Sequence, residues 1–184
     1  MYTDKELVAL IKEGNRDAFT QLYNNYSSKL LNHIFKMVGN KEEAEEILAD
    51  VFILIIKKIS FFSECDAPGA GFKSWIFRIA SNLSIDYLRR RKKEKQMKNN
   101  QNSQENIADI EVSFCQNEEL EDVNRLMDKL PTMQRTVMSL KVIENFSYME
   151  ISRVTGVSIA MVKQLLFQAR HRLRQDFRQE ERCL

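Results

Sequence analysis

Hydrophobic residues recur along this chain at steps of three and four, the spacing that places side chains on one face of an α-helix. The first stripe has Thr3 and Glu6 at its start, at capping-box spacing, and is followed by Gly14; its members are Leu7, Leu10 and Ile11. A second stripe continues to Gly39 and consists of Phe19, Leu22, Tyr23, Tyr26, Leu30, Ile34 and Val38. The pattern therefore predicts two successive helices that each bury one face.

A third helix is predicted after Asn40, which has capping-box spacing to Glu43. Its expected inward face consists of Ala44, Ile47, Leu48, Val51, Phe52, Ile55, Ile56 and Ile59. The segment 61–73 contains Pro and Gly, so a loop is expected there, with Ser74 as the cap of a fourth helix. That helix continues into R-R-R-K-K-E-K from Arg89, a run too charged for an interior, which is expected to end the first domain.

Residues 98–117 are rich in Asn, Gln, Ser and Glu and lack periodicity, the composition of a solvated acidic linker. A flexible chain of that length has an average span of roughly 25 Å, so it would let two halves reach separate sites. The predicted organisation is a domain at 1–97, the linker at 98–117 and a second domain at 118–184.

The second domain opens with an apolar stripe from Leu120 to Leu130, ended by Pro131, and Thr132 is expected to cap the next helix. Ser147 and Glu150 have capping-box spacing before a short helix cut by Gly156, and Ser158 can cap a further helix. Two helices joined by a short glycine-containing turn have the spacing of a helix-turn-helix, which four apolar side chains could hold together: Ile151, Val157, Val162 and Leu166.

Composition agrees with an all-α fold, since the 184 residues include only five Gly and two Pro. The net charge of +2 does not by itself predict a nucleic-acid partner. The three Cys are far apart and His33 and His171 have no ligand-spaced companions, which indicates reduced thiols in a cytoplasmic protein without a metal or cofactor. The longest apolar run, 51–56, is too short to span a membrane, so no direct membrane insertion is expected.

Five stretches in register resemble the extracytoplasmic-function class of sigma factors, which retain the domains called region 2 and region 4. In the first half these are D-A-F-x-x-L-Y-x-x-Y from Asp17, G-N-x-E-E-A-E-E-I-L-A-D-V-F from Gly39 and W-I-F-R-I-A-S-N-x-x-x-D-Y-L-R-R from Trp75. In the second half they are L-P-T-M-Q-R-T-V-M-S-L from Leu130 and F-S-Y-M-E-I-S-R-V-T-G-V-S from Phe146. The resemblance covers nearly the whole chain and implies a non-enzymatic subunit that binds core RNA polymerase and promoter DNA.

By resemblance, the third helix would bind the clamp helices of the polymerase through Glu43, Glu46, Asp50 and Ile53. The fourth helix and the loop before it would recognise and melt the minus-10 element, and Asn82 would help to hold an extruded base. Aromatic and amide groups suit an unstacked base, and cations suit its backbone. The implied minus-10 set is Phe72, Lys73, Trp75, Arg78, Asn82, Arg89, Arg90 and Arg91, although Trp75 or Phe77 is expected in the core.

The second helix of the helix-turn-helix would read the minus-35 element. It departs from the family pattern, because Met161 replaces a usual Thr and Leu165 and Gln168 occupy positions that are often basic. The implied contact set is Ser158, Ala160, Met161, Lys163, Gln164, Phe167, Gln168 and Arg170, whose amides could read adenine edges. The family also leads us to expect an anti-sigma factor and a linker that threads toward the polymerase RNA channel.

Two other classes of protein fit parts of the pattern. A stand-alone helix-turn-helix regulator would bind an operator without polymerase, usually as a dimer. A helical metal-dependent hydrolase could use the acids of the third helix, Glu42, Glu43, Glu46 and Asp50, but no His accompanies them at ligand spacing.

Overall fold

A computed structural model describes residues 2–63, 71–98, 127 and 129–180, and the regular elements within these ranges are helices. The first half of the chain forms α1 (Asp4–Lys12), α2 (Arg16–Val38), α3 (Lys41–Lys58), a 3₁₀ turn (Ile59–Phe61) and α4 (Phe72–Lys98). The second half forms α5 (Thr132–Val142), α6 (Tyr148–Thr155) and α7 (Ile159–Glu180). The predicted all-α fold class is confirmed.

The chain divides into two compact units, Met1–Leu88 with Arg153–Gly156, and Arg89–Ser152 with Val157–Leu184. The predicted linker and most of the stripe from Leu120 lie outside the described residues. The domain boundaries at 97 and 117 therefore stay predictions.

The helix ends of the first unit follow the capping residues expected from the sequence. Thr3 Oγ1 accepts from the backbone N–H of Glu6 at 3.4 Å, and the Glu6 carboxylate accepts from the N–H of Thr3 at 2.7 Å. Hydrogen bonds from the Thr3 backbone and hydroxyl lower the pKa of the Glu6 carboxyl. Asn40 Oδ1 accepts from the N–H of Glu43 at 2.9 Å, and Gly39 ends α2 with a φ of +76°, a conformation that favours glycine.

The core of the first unit lies between α2, α3 and α4, whose fully buried side chains include Leu22, Leu30, Ile34, Val51, Ile55, Ile76 and Phe77. Two side chains predicted for this core are exposed. Ile56 is 54% exposed, because it lies about 100° around α3 from Ile55 and beyond the buried sector. Tyr23 is 43% exposed, although its ring packs on Phe52 with centroids 4.7 Å apart.

The predicted starts of two helices were wrong by three residues and by one residue. α4 begins at Phe72, so Ser74 lies inside its first turn, where it is 3% exposed, and does not cap it. The helix starts earlier than the composition suggested, and Phe72 at its start packs into the core. α5 begins at Thr132 itself, and Pro131 occupies the N-cap position without a side-chain cap.

The second unit buries one face of each of its helices. Val137 and Leu140 of α5, Ile151 of α6, and Val162 and Leu166 of α7 are all at most 2% exposed, and α5 packs against α7. Within the described part of the chain, none of the helices combines the length and apolarity needed to cross a bilayer.

Candidate polymerase and nucleic-acid interfaces

The exposed side of α3 carries the residues assigned by resemblance to polymerase binding. A sector of about 80°, roughly opposite the buried residues of this helix, contains Glu43, Glu46, Asp50 and Ile53. The side chains of Glu46 and Asp50 are exposed and that of Glu43 is half-buried. Ile53 is 47% exposed and adds an apolar side chain to this acidic surface. The sector, which we call the α3 face, has the chemistry to bind a basic partner surface that contains an apolar recess.

An aromatic cluster joins the start of α4 to the rest of the first unit. Phe72 lies 5.4 Å from Phe62, 5.6 Å from Trp75 and 6.0 Å from Tyr26, measured between ring centroids. Lys12 Nζ on α1 donates to the carbonyl of Phe62 at 2.7 Å and ties the residue that follows the 3₁₀ turn to α1. Phe72 is only 2% exposed, so the structure places this member of the implied minus-10 set in the core. Its ring packs the base of α4 and is not presented to a nucleobase.

Trp75 and Phe77 differ in accessibility. Phe77 is fully buried, as the sequence led us to expect for one of the two. Trp75 is half-buried and lies 5.1 Å from the Phe62 ring, measured between centroids, so part of the indole remains accessible. Lys73 is also half-buried, and its Nζ lies 5.9 Å from the centroid of the Phe77 ring.

The outer side of α4 aligns an amide with two guanidinium groups. Arg78, Asn82 and Arg89 are exposed and fall within about 40° of one another around the helix, spread over about 16 Å of its length. We call this line the α4 face. Arg90 and Arg91 turn about 120° and 220° away from Arg78, and Arg91 is half-buried. The helix thus divides the basic run between different sides, which its composition could not reveal.

The helix-turn-helix is built from two capped helices. Ser147 N–H donates to the Glu150 carboxylate at 2.8 Å, and Glu150 N–H donates to Ser147 Oγ at 3.2 Å. The predicted capping box is therefore present at α6. Gly156 follows α6 with a φ of +74°, and Ser152 Oγ donates to the carbonyl of Val157 at 2.6 Å across the turn.

Ser158 then caps α7, because its hydroxyl accepts from the N–H of Met161 at 3.2 Å. Val162 and Leu166 hold the inner side of α7, whereas the implied minus-35 residues are exposed: Ser158, Ala160, Met161, Lys163, Gln164, Phe167, Gln168 and Arg170. Phe167 is 71% exposed and its ring stacks near that of His171, with centroids 6.4 Å apart. Lys163 Nζ lies 5.9 Å from the ring of Tyr148 on α6. These side chains form one outward surface that mixes amides, cations and an aromatic ring.

Sequence reasoning missed two polar pairs, each of which links two helices within one core. His33 on α2 lies 2.8 Å from Ser81 on α4, between Nε2 and Oγ, and Gln134 on α5 donates to Gln168 on α7 at 3.0 Å. Both His33 and Ser81 are buried, so this pair holds α2 against α4 and offers no nucleophile to a substrate. Periodicity gives only the weak signal that a polar residue occupies an apolar position.

Over residues 2–63, 71–98, 127 and 129–180, no three or more His, Cys, Asp or Glu side chains come together as metal ligands. The described residues thus include an acidic face on α3, an amide-and-arginine face on α4, and a capped helix-turn-helix formed by α6 and α7. Together these features define a helical DNA-binding transcription protein.

Comparisons with known proteins identify the family. The family model "Sigma-70 region 2" matches residues 22–94, and "Sigma-70, region 4" matches residues 120–173. The chain is 28% identical over 184 residues to the ECF RNA polymerase sigma factor SigW of Bacillus subtilis, covering 95% of this chain and 96% of that protein. It is also 28% identical to the ECF RNA polymerase sigma factor RpoE of Cereibacter sphaeroides, covering 94% and 98% of the two chains. The chain belongs to the extracytoplasmic-function group of the sigma-70 family.

Solved structures agree with this assignment. The structure of CnrH in complex with the cytosolic domain of CnrY matches with a TM-score of 0.65 at 25% identity, covering 95% of this chain and 96% of that chain. The sigma factor RpoE in complex with the anti-sigma factor NepR from Bartonella quintana matches with a TM-score of 0.69 at 24% identity, covering 85% and 94%. The family models and the curated relatives make the protein an RNA polymerase sigma factor, which is a non-enzymatic initiation factor, and favour this function over a stand-alone regulator.

Proposed function

We propose that this sigma factor binds core RNA polymerase through the α3 face, engages the minus-10 element through the α4 face and reads the minus-35 element through α7. The observation that carries the proposal is the exposure of these three faces on units that match sigma-70 regions 2 and 4. The same proposal places the protein in the cytoplasm, where polymerase and chromosome meet.

The α3 face supports polymerase binding because its acids are held on a rigid, capped helix. Asp50 and Glu46 lie one turn apart and Ile53 follows within the same sector, so charge and apolar contact can act on one partner surface. Exposed charges guide association, whereas desolvation of an apolar side chain at the centre of an interface supplies more of the affinity.

The α4 face supports promoter engagement because each group has a matching function on melted DNA. The Asn82 amide can hydrogen-bond an unstacked base, and Arg78 and Arg89 on either side can neutralise backbone phosphates. Trp75, which is half-buried, lies one turn before Arg78 and adds an aromatic contact for a base.

In region 4, Lys163 and Arg170 supply cations for phosphates, while Gln164 and Gln168 offer groups for base edges. Regulation by an anti-sigma factor is part of the proposal. RpoE of Bartonella quintana, which resembles this chain in fold, was solved with such a partner.

Reconstitution of run-off transcription with purified core polymerase tests the proposal. The full chain is expected to direct initiation from a defined promoter while it binds the same free DNA poorly. Asp50→Ala should weaken binding to core polymerase, and Glu45→Ala, which removes an exposed acid elsewhere on α3, should not. Tight, salt-resistant promoter binding by the chain alone, with no association with core, would instead support a stand-alone regulator.

Two further variants separate the DNA contacts. Arg89→Ala should reduce open-complex formation without reducing binding to core, and Arg16→Ala, an exposed arginine at the start of α2, serves as its control. Lys163→Ala should lower initiation only at promoters that depend on the upstream element. Circular-dichroism melts of each variant establish that folding is retained.

A further inference from the structure

A buried glutamine on α5 holds a glutamine of the proposed minus-35 surface. Gln134 is 6% exposed, and its Nε2 donates to Oε1 of Gln168 on α7 at 3.0 Å. Gln168 itself is exposed on the outward side of α7. The bond therefore joins the core of the second unit to a side chain that is positioned to meet DNA.

This bond restricts the hydrogen-bonding character of Gln168. A carboxamide offers an acceptor oxygen and a donor NH₂ group, and reading adenine in the bidentate manner uses both. Gln134 directs the oxygen of Gln168 toward α5, whereas the NH₂ group of Gln168 has no protein partner among the described residues. Gln168 is thus held as a donor, which revises the adenine preference expected from the sequence.

The stability of the fold does not explain why a glutamine is buried at position 134. Its Oε1 atom is buried and has no partner within the described part of the chain. Burying an amide with half of its hydrogen-bonding capacity unused costs free energy relative to an apolar side chain of similar size. A role in orienting Gln168 would explain why position 134 carries an amide.

The side chains around Gln168 form a depression on the outward side of α7. A shallow depression of about 340 Å³ is lined by Phe167, Gln168, His171 and Arg172. The stacked rings of Phe167 and His171 give it an aromatic wall, and Arg172 adds a cation. A base edge that enters here meets a fixed donor beside an apolar surface.

We infer that Gln134 is a positioning residue for minus-35 recognition, holding the Gln168 NH₂ group toward the major groove so that one position favours acceptor-bearing bases. Guanine N7 and O6, adenine N7 and thymine O4 accept from such a donor, whereas cytosine presents only its own amino group there. This inference rests on the proposed reading of the minus-35 element by α7.

The test is initiation by reconstituted holoenzyme on a promoter library randomised across the upstream element. Gln134→Met keeps the side-chain volume and removes the hydrogen bond. We expect the preference of this variant for acceptor-bearing bases at one position of the element to fall by roughly three- to tenfold, with little change at the other positions. A factor of this size corresponds to the loss of one hydrogen bond. We expect its melting temperature to be unchanged or higher, because an incompletely paired amide has been removed.

Two variants of Gln168, the exposed member of the pair, keep the inference testable if Gln134→Met folds poorly. Gln168→Ala should lose preference at the same position, and adding Gln134→Met to it should cause no further loss. Gln168→Glu should still accept from Gln134 while presenting only acceptors, and so shift that position toward cytosine, whose amino group donates.

The outcomes distinguish this inference from the proposed function. If wild-type holoenzyme does not form or initiates from no library promoter, the proposed function fails. If wild type initiates but Gln134→Met lowers initiation equally at all promoters, or if its effect is independent of Gln168, then Gln134 is only a packing residue and the inference is wrong.

Discussion

The buried histidine of region 2 makes the stability of that unit depend on pH. His33 is 3% exposed, its ring lies 5.2 Å from that of Phe77, and Lys36 is the charged neighbour that affects it. Burial, and secondly the positive charge of Lys36, lower the pKa of His33 to about 3 from its ordinary value of 6.5. The ring is therefore neutral in the folded protein at physiological pH.

The sign of the effect follows from proton binding. Well above pH 6.5 neither the folded nor the unfolded chain protonates this ring appreciably, so His33 does not reduce the stability of the folded unit. As the pH falls from 6.5 toward 3, the unfolded chain takes up a proton that the folded chain excludes, and the folded unit loses stability. The expected loss between pH 7 and pH 5 is about 2 kcal/mol from His33 alone.

Urea unfolding of the full chain at pH 7 and pH 5 measures this loss. The chain contains one Trp, and Trp75 lies in the aromatic cluster of the first unit, so its fluorescence reports unfolding of that unit. A loss of about 2 kcal/mol corresponds to a midpoint shift of about 1 M urea. His33→Gln retains a group that can hydrogen-bond Ser81 but does not titrate, so its shift should be smaller by about that amount.

His171→Gln provides the matched control, because it removes the other histidine, which is exposed on α7. This variant should keep the wild-type dependence on pH. Equal midpoint shifts in wild type and His33→Gln would refute the reasoning, since the dependence would then arise from groups other than the buried ring.

Three substitutions test other features of the fold. Phe72→Ala should destabilise the first unit by about 3–5 kcal/mol in urea melts, as expected for a core ring, and a change of a few tenths would contradict that placement. Gly156→Ala should lower the free energy of unfolding by about 1–2 kcal/mol in thermal melts, because of the positive φ at this position. Sterics do not contribute, since an added Cβ meets nothing within 4 Å. Gly71→Ala, at a position that is equally open, is the control. Ser147→Ala should remove about 1 kcal/mol of capping, seen as faster hydrogen exchange in α6, and unchanged exchange would argue against the cap.

Local chemistry made most helix boundaries predictable from the sequence. Thr3, Asn40, Ser147 and Ser158 cap helices where spacing indicated, and Gly39 and Gly156 adopt the left-handed conformation that ends them. These signals are readable because each involves residues within a few positions of one another. The family resemblance was equally accessible, because its motifs occur in order along the chain.

Features that depend on tertiary packing were not accessible in the same way. Periodicity could not show that Ile56 lies beyond the buried sector of α3 or that Phe72 joins an aromatic cluster with Phe62. The Gln134–Gln168 bond joins residues that are 34 positions apart, so no local pattern announces it. The candidate faces could be named from resemblance, but which arginines share a side of α4 required the helix itself.

The 27 residues of α4 form one uninterrupted helix about 40 Å long that leaves the core and continues into the basic run. Asn82 and Arg89 are therefore fixed two turns apart, with no joint between them to adjust. Inserting a single residue between them would rotate the basic end by about 100°, so that Arg89 would no longer share a side of the helix with Asn82. Chain length in this stretch therefore decides whether the two groups that we propose engage one DNA strand can do so together.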